Sequence, residues 1–131
     1  MNAAHLDHVN LAVPADRVDD AVAFYRDTLG FELEDLDAYR AGDRPIFSIR
    51  LSETSLIHVS PSENFEPPAE TNFDHVAIVV EESIEAIERE LTAAGIEIER
   101  EARDLKGATG TAPAVYVRDP FGYRVEIKTA D

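Results

Sequence analysis

The sequence predicts an α+β protein built from two βαβββ modules that follow one another along 131 residues. Residues 6–13 read LDHVNLAV and residues 73–80 read FDHVAIVV, so nearly the same strand pattern occurs twice. Each copy is followed by one helical pattern and then by three segments in which apolar and polar residues alternate. Equivalent positions keep a nearly constant offset, 67 residues from His8 to His75 and 68 residues near the end of each half. These observations indicate one supersecondary unit that has been duplicated.

The first module is predicted from residues 6–60. LDHVNLAV alternates as a strand, and the helix after it has one apolar stripe, with Asp16 as N-cap and Gly30 in the C′ position. Three further strands are predicted at FELEDL, IFSIRL and SLIHVS. The apolar stripe of the helix consists of Val18, Ala21, Val22, Tyr25 and Leu29.

The second module is predicted from residues 73–128 and repeats the order of elements. FDHVAIVV leads to a helix that stops at Gly95, and the strands IEIER, AVYVRD and YRVEIKT follow. The glycine-rich segment DLKGATGTAP predicts a mobile loop. Asp119, Pro120 and Gly122 form a turn before the last strand and are interpreted as structural residues. The helical stripe consists of Ile84, Ile87, Leu91 and Ala94.

The segment between the modules, residues 61–72, holds three of the seven prolines and predicts an extended linker. The chain length and the apolar fraction of 44% suit one ordinary globular domain. A single module would leave one sheet face exposed. We therefore expect residues 1–131 to form one domain of two repeats, packed together within one chain or across a dimer.

The composition excludes several classes of site and partner. Cysteine is absent, which excludes disulfide bonds, thiolate metal sites and cysteine nucleophiles. The net charge of −15 makes nucleic acid and anionic membranes unexpected partners, because like charges repel. Only two of the 12 basic residues are lysine, which resembles proteins of a high-salt cytoplasm, although an acidic mesophilic protein is also compatible. The sequence shows neither a membrane span nor a secretion signal, which favours a cytoplasmic protein.

The phase of the strands selects four metal-binding side chains. In each first strand and each last strand, one such residue lies on the face opposite the main apolar row. A lone strand histidine is more often a hydrogen-bonded residue than a ligand, and a glutamate in YRVEIKT is also compatible with an exposed residue that alternates with Arg124 and Lys128. Equivalent places in a repeat favour a shared function instead, whereas His5 lies outside the repeat and is expected at the surface. The four residues are His8, His58, His75 and Glu126.

Three imidazoles and one carboxylate suit a divalent transition metal ion: Zn²⁺, Ni²⁺, Co²⁺, Mn²⁺ or Fe²⁺. Ca²⁺ and Mg²⁺ prefer oxygen-rich sites and rank lower. On an octahedral ion, four protein ligands leave two positions for oxygens of a small-molecule substrate or of water. If His58 is not a ligand, the other three residues form a two-histidine, one-carboxylate triad with three open positions.

The paired DHV words, the segment FYRDTLGFEL and the ending VRDPFGYRVEI resemble the vicinal oxygen chelate superfamily over nearly the whole chain. That superfamily includes glyoxalase I, fosfomycin resistance proteins, extradiol dioxygenases and methylmalonyl-CoA epimerase. The resemblance implies an eight-stranded mixed sheet in which two βαβββ modules form a cup around a divalent metal. The ligand pattern of the family falls on His8, His58, His75 and Glu126, the same residues that strand phase selects.

Within the superfamily, EREARDLKGATG and DPFGYRVEI look most similar to bacterial glyoxalase I. This similarity implies a lyase or isomerase reaction by proton transfer, with Glu126 as the catalytic proton shuttle. Glyoxalase I typically has glutamate where this chain has His58, so an extradiol-type dioxygenase and a fosfomycin-type thiol transferase stay open. The competing class is a binding protein like the bleomycin-sequestering members, which generally lack the metal ligands that this chain retains.

Two further residues are candidates for substrate binding. Asn10 follows His8 on the same strand face, where it is able to hydrogen-bond either a substrate or a neighbour. Lys106 lies in the glycine-rich segment and is either a clamp for an anionic substrate or a solvated loop residue. The resemblance also implies a homodimer, because many short relatives combine the first two ligands of one chain with the last two of the other. The sequence is also compatible with a cup closed within one chain.

Overall fold

The structure of the protein, a computed structural model, describes residues 1–69 and 71–130. The chain divides into two compact units, Met1–Glu66 and Pro67–Asp131. Each unit contains one four-stranded mixed sheet, with helical structure between its first and second strands. The predicted α+β class with two βαβββ modules is therefore confirmed. No helix in the described ranges is long and apolar enough to cross a membrane.

The strands of the first unit are β1 (His8–Pro14), β2 (Glu32–Glu34), β3 (Phe47–Ser52) and β4 (Ser55–Ser62). They form a sheet in the order β1-β4-β3-β2, in which β1 and β4 are parallel and the other neighbours antiparallel. One face of this sheet is apolar, and its residues Ile49, Ile57 and Val59 are at most 1% exposed. Alternation along the strands thus leaves the polar residues on the opposite face.

The helical connection from β1 to β2, called the crossing below, buries its predicted apolar stripe, with the exception of the partly exposed Leu29. Phe24 is also buried and contacts Tyr25 edge to face at 4.9 Å between ring centroids. Gly30 ends the crossing with a φ of 77°, the left-handed conformation predicted for a C′ residue. The crossing consists of a 3-10 turn (Ala15–Arg17), helix α1 (Val18–Val22) and a π-helical segment (Ala23–Thr28).

Two predictions for the first module are wrong. Asp16 makes no capping hydrogen bond, because the chain enters the helical crossing through a 3-10 turn with Pro14 in the cap position. The predicted strand FELEDL ends at Glu34, since Asp35 adopts a φ of 64° and helix α2 (Leu36–Arg40) begins after it. A helix of five residues is too short to show a helical period in the sequence.

The second unit contains β5 (Val76–Val80), helix α3 (Ile84–Ala93), β6 (Arg100–Gly107), β7 (Gly110–Arg118) and β8 (Arg124–Thr129). Its sheet has the order β5-β8-β7-β6, with β5 parallel to β8. Helix α3 begins at Ser83, whose hydroxyl accepts a hydrogen bond from the Ala86 amide, and it is followed by Gly95 at a φ of 73°. Three of its four predicted stripe residues, Ile84, Ile87 and Leu91, are buried.

Two predictions for the second module are also wrong. The strand expected at IEIER begins only at its last residue, Arg100. The segment DLKGATGTAP is not a loop, because β6 and β7 form a hairpin in which Gly107 pairs with Gly110, and Lys106 is an exposed residue of β6. Because the hairpin is largely exposed near its turn, the sequence of β6 shows little alternation of apolar and polar residues. A register shift between Ala102 and Leu105 also interrupts the pairing of β6 with β7.

The turn between β7 and β8 depends on Asp119, a buried residue that the sequence predicted to be structural. Its side-chain oxygen Oδ1 accepts hydrogen bonds at 2.9 Å from the backbone amides of Phe121 and Tyr123. Its own amide donates to the Tyr123 carbonyl at 2.8 Å, and Gly122 takes the positive φ of 96° that the turn requires. Asp119 thereby fixes the entry of β8, the strand that carries Glu126.

We predict that Asp119→Ala lowers the free energy of unfolding by about 3 kcal/mol, because two amides lose a charged acceptor in a buried turn. Urea denaturation followed by circular dichroism measures this change. Asp16→Ala is the control, since Asp16 caps no helix, and it should change the free energy by no more than about 0.5 kcal/mol. Equal losses in the two variants would show that the Asp119 hydrogen bonds do not hold the turn.

Candidate functional site

The polar face of the first sheet brings three of the predicted residues together. Asn10 lies opposite His58 in the parallel pair, and His58 lies opposite Ser48 in the antiparallel pair. The His8 ring lies 4.5 Å from the His58 ring, measured between centroids, at an interplanar angle of 61°. Residues directly opposite one another share a face of the sheet. The first unit therefore supplies two adjacent imidazoles.

Each of these imidazoles has one ring nitrogen held by a neighbour. His8 Nδ1 lies 2.7 Å from a carboxylate oxygen of Asp7, and His58 Nδ1 lies 2.8 Å from the Ser48 hydroxyl. Burial lowers the pKa of His58, and the neighbouring His8 lowers it further. Neutral imidazole is the form that binds a metal, and a partner on Nδ1 directs Nε2 toward the ligand. Both residues thus meet the requirements of metal ligands.

Asn10 is engaged within its own sheet. Its side-chain carbonyl oxygen accepts a hydrogen bond of 2.7 Å from the Ser60 hydroxyl, and the residue is exposed on the same face as His58. One polar neighbour therefore satisfies the acceptor of Asn10. Substrate binding by Asn10 stays a prediction, and it would use the amide group of this side chain.

In the second unit, His75 and Glu126 are in direct contact. His75 Nε2 lies 3.0 Å from Glu126 Oε2, and the Tyr116 hydroxyl donates to the same oxygen at 3.0 Å. Glu126 is only 6% exposed and Lys128 only 3%. The interpretation of Glu126 as an exposed residue alternating with Lys128 is therefore wrong. A buried carboxylate requires such hydrogen-bond partners to offset its desolvation.

The Lys128 amine is occupied within the second sheet. It donates hydrogen bonds to the backbone carbonyls of Leu105 and Ala112, which belong to β6 and β7. Lys106 lies on the exposed side of the same hairpin and is not among the residues that line the pocket beside Glu126. Of the two lysines, one is therefore structural, and substrate binding by Lys106 stays a prediction.

The support of the candidate ligands is itself duplicated. Asp74 Oδ1 lies 2.5 Å from His75 Nδ1, and Asp7 Oδ2 lies 2.7 Å from His8 Nδ1, so the aspartate of each DHV word holds the histidine after it. The hydrogen bond with its histidine lowers the pKa of each aspartate. The sequence analysis missed these aspartates, although their presence in both copies of the repeated word is a signal that could have found them.

A hydroxyl group supports the last-strand ligand in both modules. Ser48 on β3 contacts His58, and Tyr116 on β7 contacts Glu126. These hydroxyl residues are 68 positions apart, the same offset as the ligands that they support. Burial and then the Glu126 contact raise the pKa of Tyr116, so its hydroxyl stays a donor well above neutral pH. Tyr116 was missed because its role depends on pairing between β7 and β8.

The donor set fits a transition metal ion as two pairs of ligands. No group of three or more histidine, aspartate or glutamate side chains in residues 1–69 and 71–130 is close enough to bind a metal. Two ligands at about 2.1 Å from an ion and at right angles lie roughly 3.0 Å apart. The separation of 3.0 Å between His75 Nε2 and Glu126 Oε2 agrees with that geometry. Nitrogen and oxygen donors with hydrogen-bonded outer nitrogens are the chemistry such an ion requires.

A pocket of about 320 Å³ in the second unit is lined by the two residues that contact Glu126, His75 and Tyr116, although not by Glu126 itself. The cross-strand pairs Glu126–Tyr116 and Tyr116–Arg100 place these residues in one row, and the Arg100 guanidinium carbon lies 5.4 Å from the centre of the Tyr116 ring. The pocket is lined by Asp74, His75, Glu99, Arg100, Tyr116 and Arg124. The site thus combines a buried carboxylate, a histidine and a small polar pocket.

Two βαβββ modules, each with a histidine at or directly before the start of its first strand and a polar candidate ligand in its last strand, define a class of protein built from paired modules. A family model for the Glyoxalase/Bleomycin resistance protein/Dioxygenase superfamily matches residues 5–127 of the chain. The chain therefore belongs to this superfamily, which confirms the resemblance found in the sequence.

Solved structures of bacterial proteins have the same fold. A glyoxalase family protein from Bacillus anthracis is 27% identical, with a TM-score of 0.71 over 100% of this chain and 98% of its own. A virulence protein from Salmonella typhimurium is 25% identical, with a TM-score of 0.76 over 98% of each chain. A lactoylglutathione lyase from Agrobacterium tumefaciens is 18% identical, with a TM-score of 0.66 over 98% of this chain and 96% of its own, and shows the fold alone.

Glu99, at one side of the pocket, is predicted to make stability depend on pH. A hydrogen bond of 2.8 Å from Arg118 holds the pKa of Glu99 below its ordinary value of 4.5, with a smaller effect of Arg124. Because the folded pKa is the lower one, this pair stabilises the fold above pH 4.5 and loses its effect as the pH falls through the folded pKa. The free energy of unfolding of the wild type should exceed that of Glu99→Gln at about pH 6, and the difference should shrink as the pH falls below 4.5.

Urea denaturation at several pH values measures this difference. Glu97→Gln is the matched control. Glu97 lies two positions from Glu99, and it forms no ion pair within the described part of the chain. A gap between wild type and Glu99→Gln that is constant across this pH range would contradict the prediction.

Proposed function

We propose that the protein is an enzyme that binds a divalent transition metal through His8, His58, His75 and Glu126. The observation that carries this proposal is the duplicated support of these side chains, an aspartate behind each first-strand histidine and a hydroxyl beside each last-strand ligand. Metal ligands require this arrangement, since an outer partner sets the tautomer and direction of each ring.

The proposed reaction is a glyoxalase-like proton transfer on a small substrate. The metal supplies a positive charge that stabilises negative charge on substrate oxygens. Glu126 moves the proton. Its oxygen Oε2 accepts from Tyr116 and contacts His75, whereas Oε1 makes no hydrogen bond with a described residue. Oε1 is therefore the oxygen available to take a proton from a substrate carbon and return it to the neighbouring carbon.

Tyr116 and His75 orient this carboxylate. The hydroxyl of Tyr116 holds Oε2 in place and keeps the side chain in its buried position on β8. His75 is held from the other side by Asp74, and Asp74 also lies 3.5 Å from Arg124. A base that is fixed in this way spends little free energy on reorganisation when it takes the proton.

The residue at position 58 keeps a second enzyme class open. With an imidazole in place of a glutamate, the site carries one negative charge less, and a bound ion would keep more of its positive charge. The site also has one carboxylate base instead of two. An extradiol-type dioxygenase or a fosfomycin-type thiol transferase is compatible with such a site. The class of drug-binding relatives without metal is disfavoured, because it gives no reason for the supported histidines.

We further propose that the protein is a homodimer in which each site takes two ligands from each chain. Each compact unit supplies one complete pair of neighbouring ligands, His8 with His58 and His75 with Glu126. Exchange of modules between two chains would join a first pair to a second pair without any change inside a unit.

We predict that the untagged wild type binds one of Ni²⁺, Co²⁺, Zn²⁺, Mn²⁺ or Fe²⁺ stoichiometrically and that His75→Ala loses the metal, because one ligand of the contacting pair is gone. Asp74→Ala keeps all ligands and should weaken metal affinity about tenfold or more. Mass spectrometry of the dialysed proteins and competition with a chelator measure these effects. His5→Ala, which removes a histidine outside the repeat, is the control.

Retention of the metal by His58→Ala would favour the three-ligand triad. Mixing His8→Ala with His75→Ala by unfolding and refolding tests the dimer. Exchange across two chains restores one intact site in each mixed dimer, whereas sites within single chains are not restored. A wild type that refuses all five metal ions would contradict the proposed function.

We predict that the metal-loaded protein consumes the hemithioacetal formed from methylglyoxal and a thiol, and that Glu126→Gln abolishes this activity because an amide cannot accept the proton. Spectrophotometric loss of the hemithioacetal measures the reaction, and Tyr116→Phe should lower kcat about tenfold through a less firmly oriented base. Oxygen uptake with catechols, together with an inactive hemithioacetal assay, would replace the glyoxalase proposal with the dioxygenase one.

A further inference from the structure

Arg100 is one of two arginines in the described part of the chain that have no carboxylate within 4.0 Å. The chain has ten arginines and a net charge of −15, and eight of the arginines lie within 4.0 Å of a carboxylate. Within the described ranges, Arg89 and Arg100 have no such ion pair. Both side chains are exposed, but only Arg100 lines the pocket of about 320 Å³, whereas Arg89 lies on helix α3.

The acidic residues of that pocket are already paired. Glu99 accepts from Arg118 at 2.8 Å and lies 3.5 Å from Arg124. Asp74 lies 2.5 Å from His75 and 3.5 Å from Arg124. The charge in the pocket that lacks a counterion is therefore the guanidinium of Arg100. A guanidinium with free donors binds a carboxylate through two parallel hydrogen bonds.

The position of Arg100 relative to Glu126 is fixed by strand pairing. Arg100 pairs with Tyr116 across β6 and β7, and Tyr116 pairs with Glu126 across β7 and β8. Two strand spacings separate Arg100 from Glu126, roughly 10 Å between their backbones. The Tyr116 ring bridges this distance, with its hydroxyl at Glu126 and the guanidinium beside its ring. A small molecule that reaches from one to the other would lie along the Tyr116 ring.

We propose that this pocket binds a carboxylate group of the substrate through Arg100, so that the substrate is a small carboxylic acid. The proposal rests on the proposed function, because Glu126 is then the group at the reacting end of the same molecule. The volume of about 320 Å³ suits a small metabolite.

The test uses metal-free full-length protein and the isosteric pair butyrate and butyramide, which differ in charge. Two-dimensional ¹H–¹⁵N NMR titration should show saturable shifts with butyrate around residues 99–100 and 116, and none with butyramide. Arg100→Gln should weaken butyrate binding about tenfold, because the charged donor is lost. Arg100→Lys keeps the charge but not the two parallel donors. Its affinity for butyrate should lie between that of the wild type and that of Arg100→Gln. Arg89→Gln is the matched control and should bind like the wild type.

Metal binding by the same samples is measured separately and should be unchanged in Arg100→Gln. A wild type that binds metal but does not distinguish butyrate from butyramide overturns the carboxylate pocket and leaves the proposed function standing. Equal losses in Arg100→Gln and Arg89→Gln also overturn it, since general attraction to positive charge would then explain the binding. Selective butyrate binding by a protein that binds no metal supports the pocket and contradicts the metal enzyme.

Discussion

In both modules the last strand runs parallel to the first, and the positions of all candidate ligands follow from this pairing. Hydrogen bonding between the strands places Asn10 opposite His58 and Ala77 opposite Glu126. The histidine near the start of each first strand therefore reaches the ligand of the last strand. A shift of one residue in either register would turn a ligand toward the apolar face. Burial of the alternating apolar residues prevents that shift, so the core of each module also positions its site.

Strand phase was sufficient to select the side chains that each module brings together, because a period of two residues is visible in a single strand. The repeat then showed that His58 and Glu126 occupy corresponding positions in the two modules. This correspondence distinguished them from ordinary polar residues. Tyr116 and Arg100 could not be found in this way, since their roles depend on the register between strands and on a hairpin that the sequence pattern suggested was a loop. The short helix α2 and the absent Asp16 cap have a similar cause, because each depends on local backbone geometry with no periodic signal.

The two modules have the same supporting contacts around different candidate ligands. A hydroxyl on the third strand supports imidazole in one module and carboxylate in the other, and Glu34 pairs with Arg50 as Glu99 pairs with Arg118. These contacts therefore tolerate exchange of the ligand without change in its surroundings. Differences in chemistry within this superfamily are thus compatible with a constant framework, since one substitution changes the charge at the site while the sheet stays the same.

Lys128 ties three strands of the second module together from the interior of the sheet. Its stem lies on β8 two residues after Glu126, and its amine is shared between carbonyls of β6 and β7. A single side chain therefore joins the hairpin to the strand that carries the proposed base. A chain with only two lysines places one of them in the interior, where it acts as a crosslink without a covalent bond.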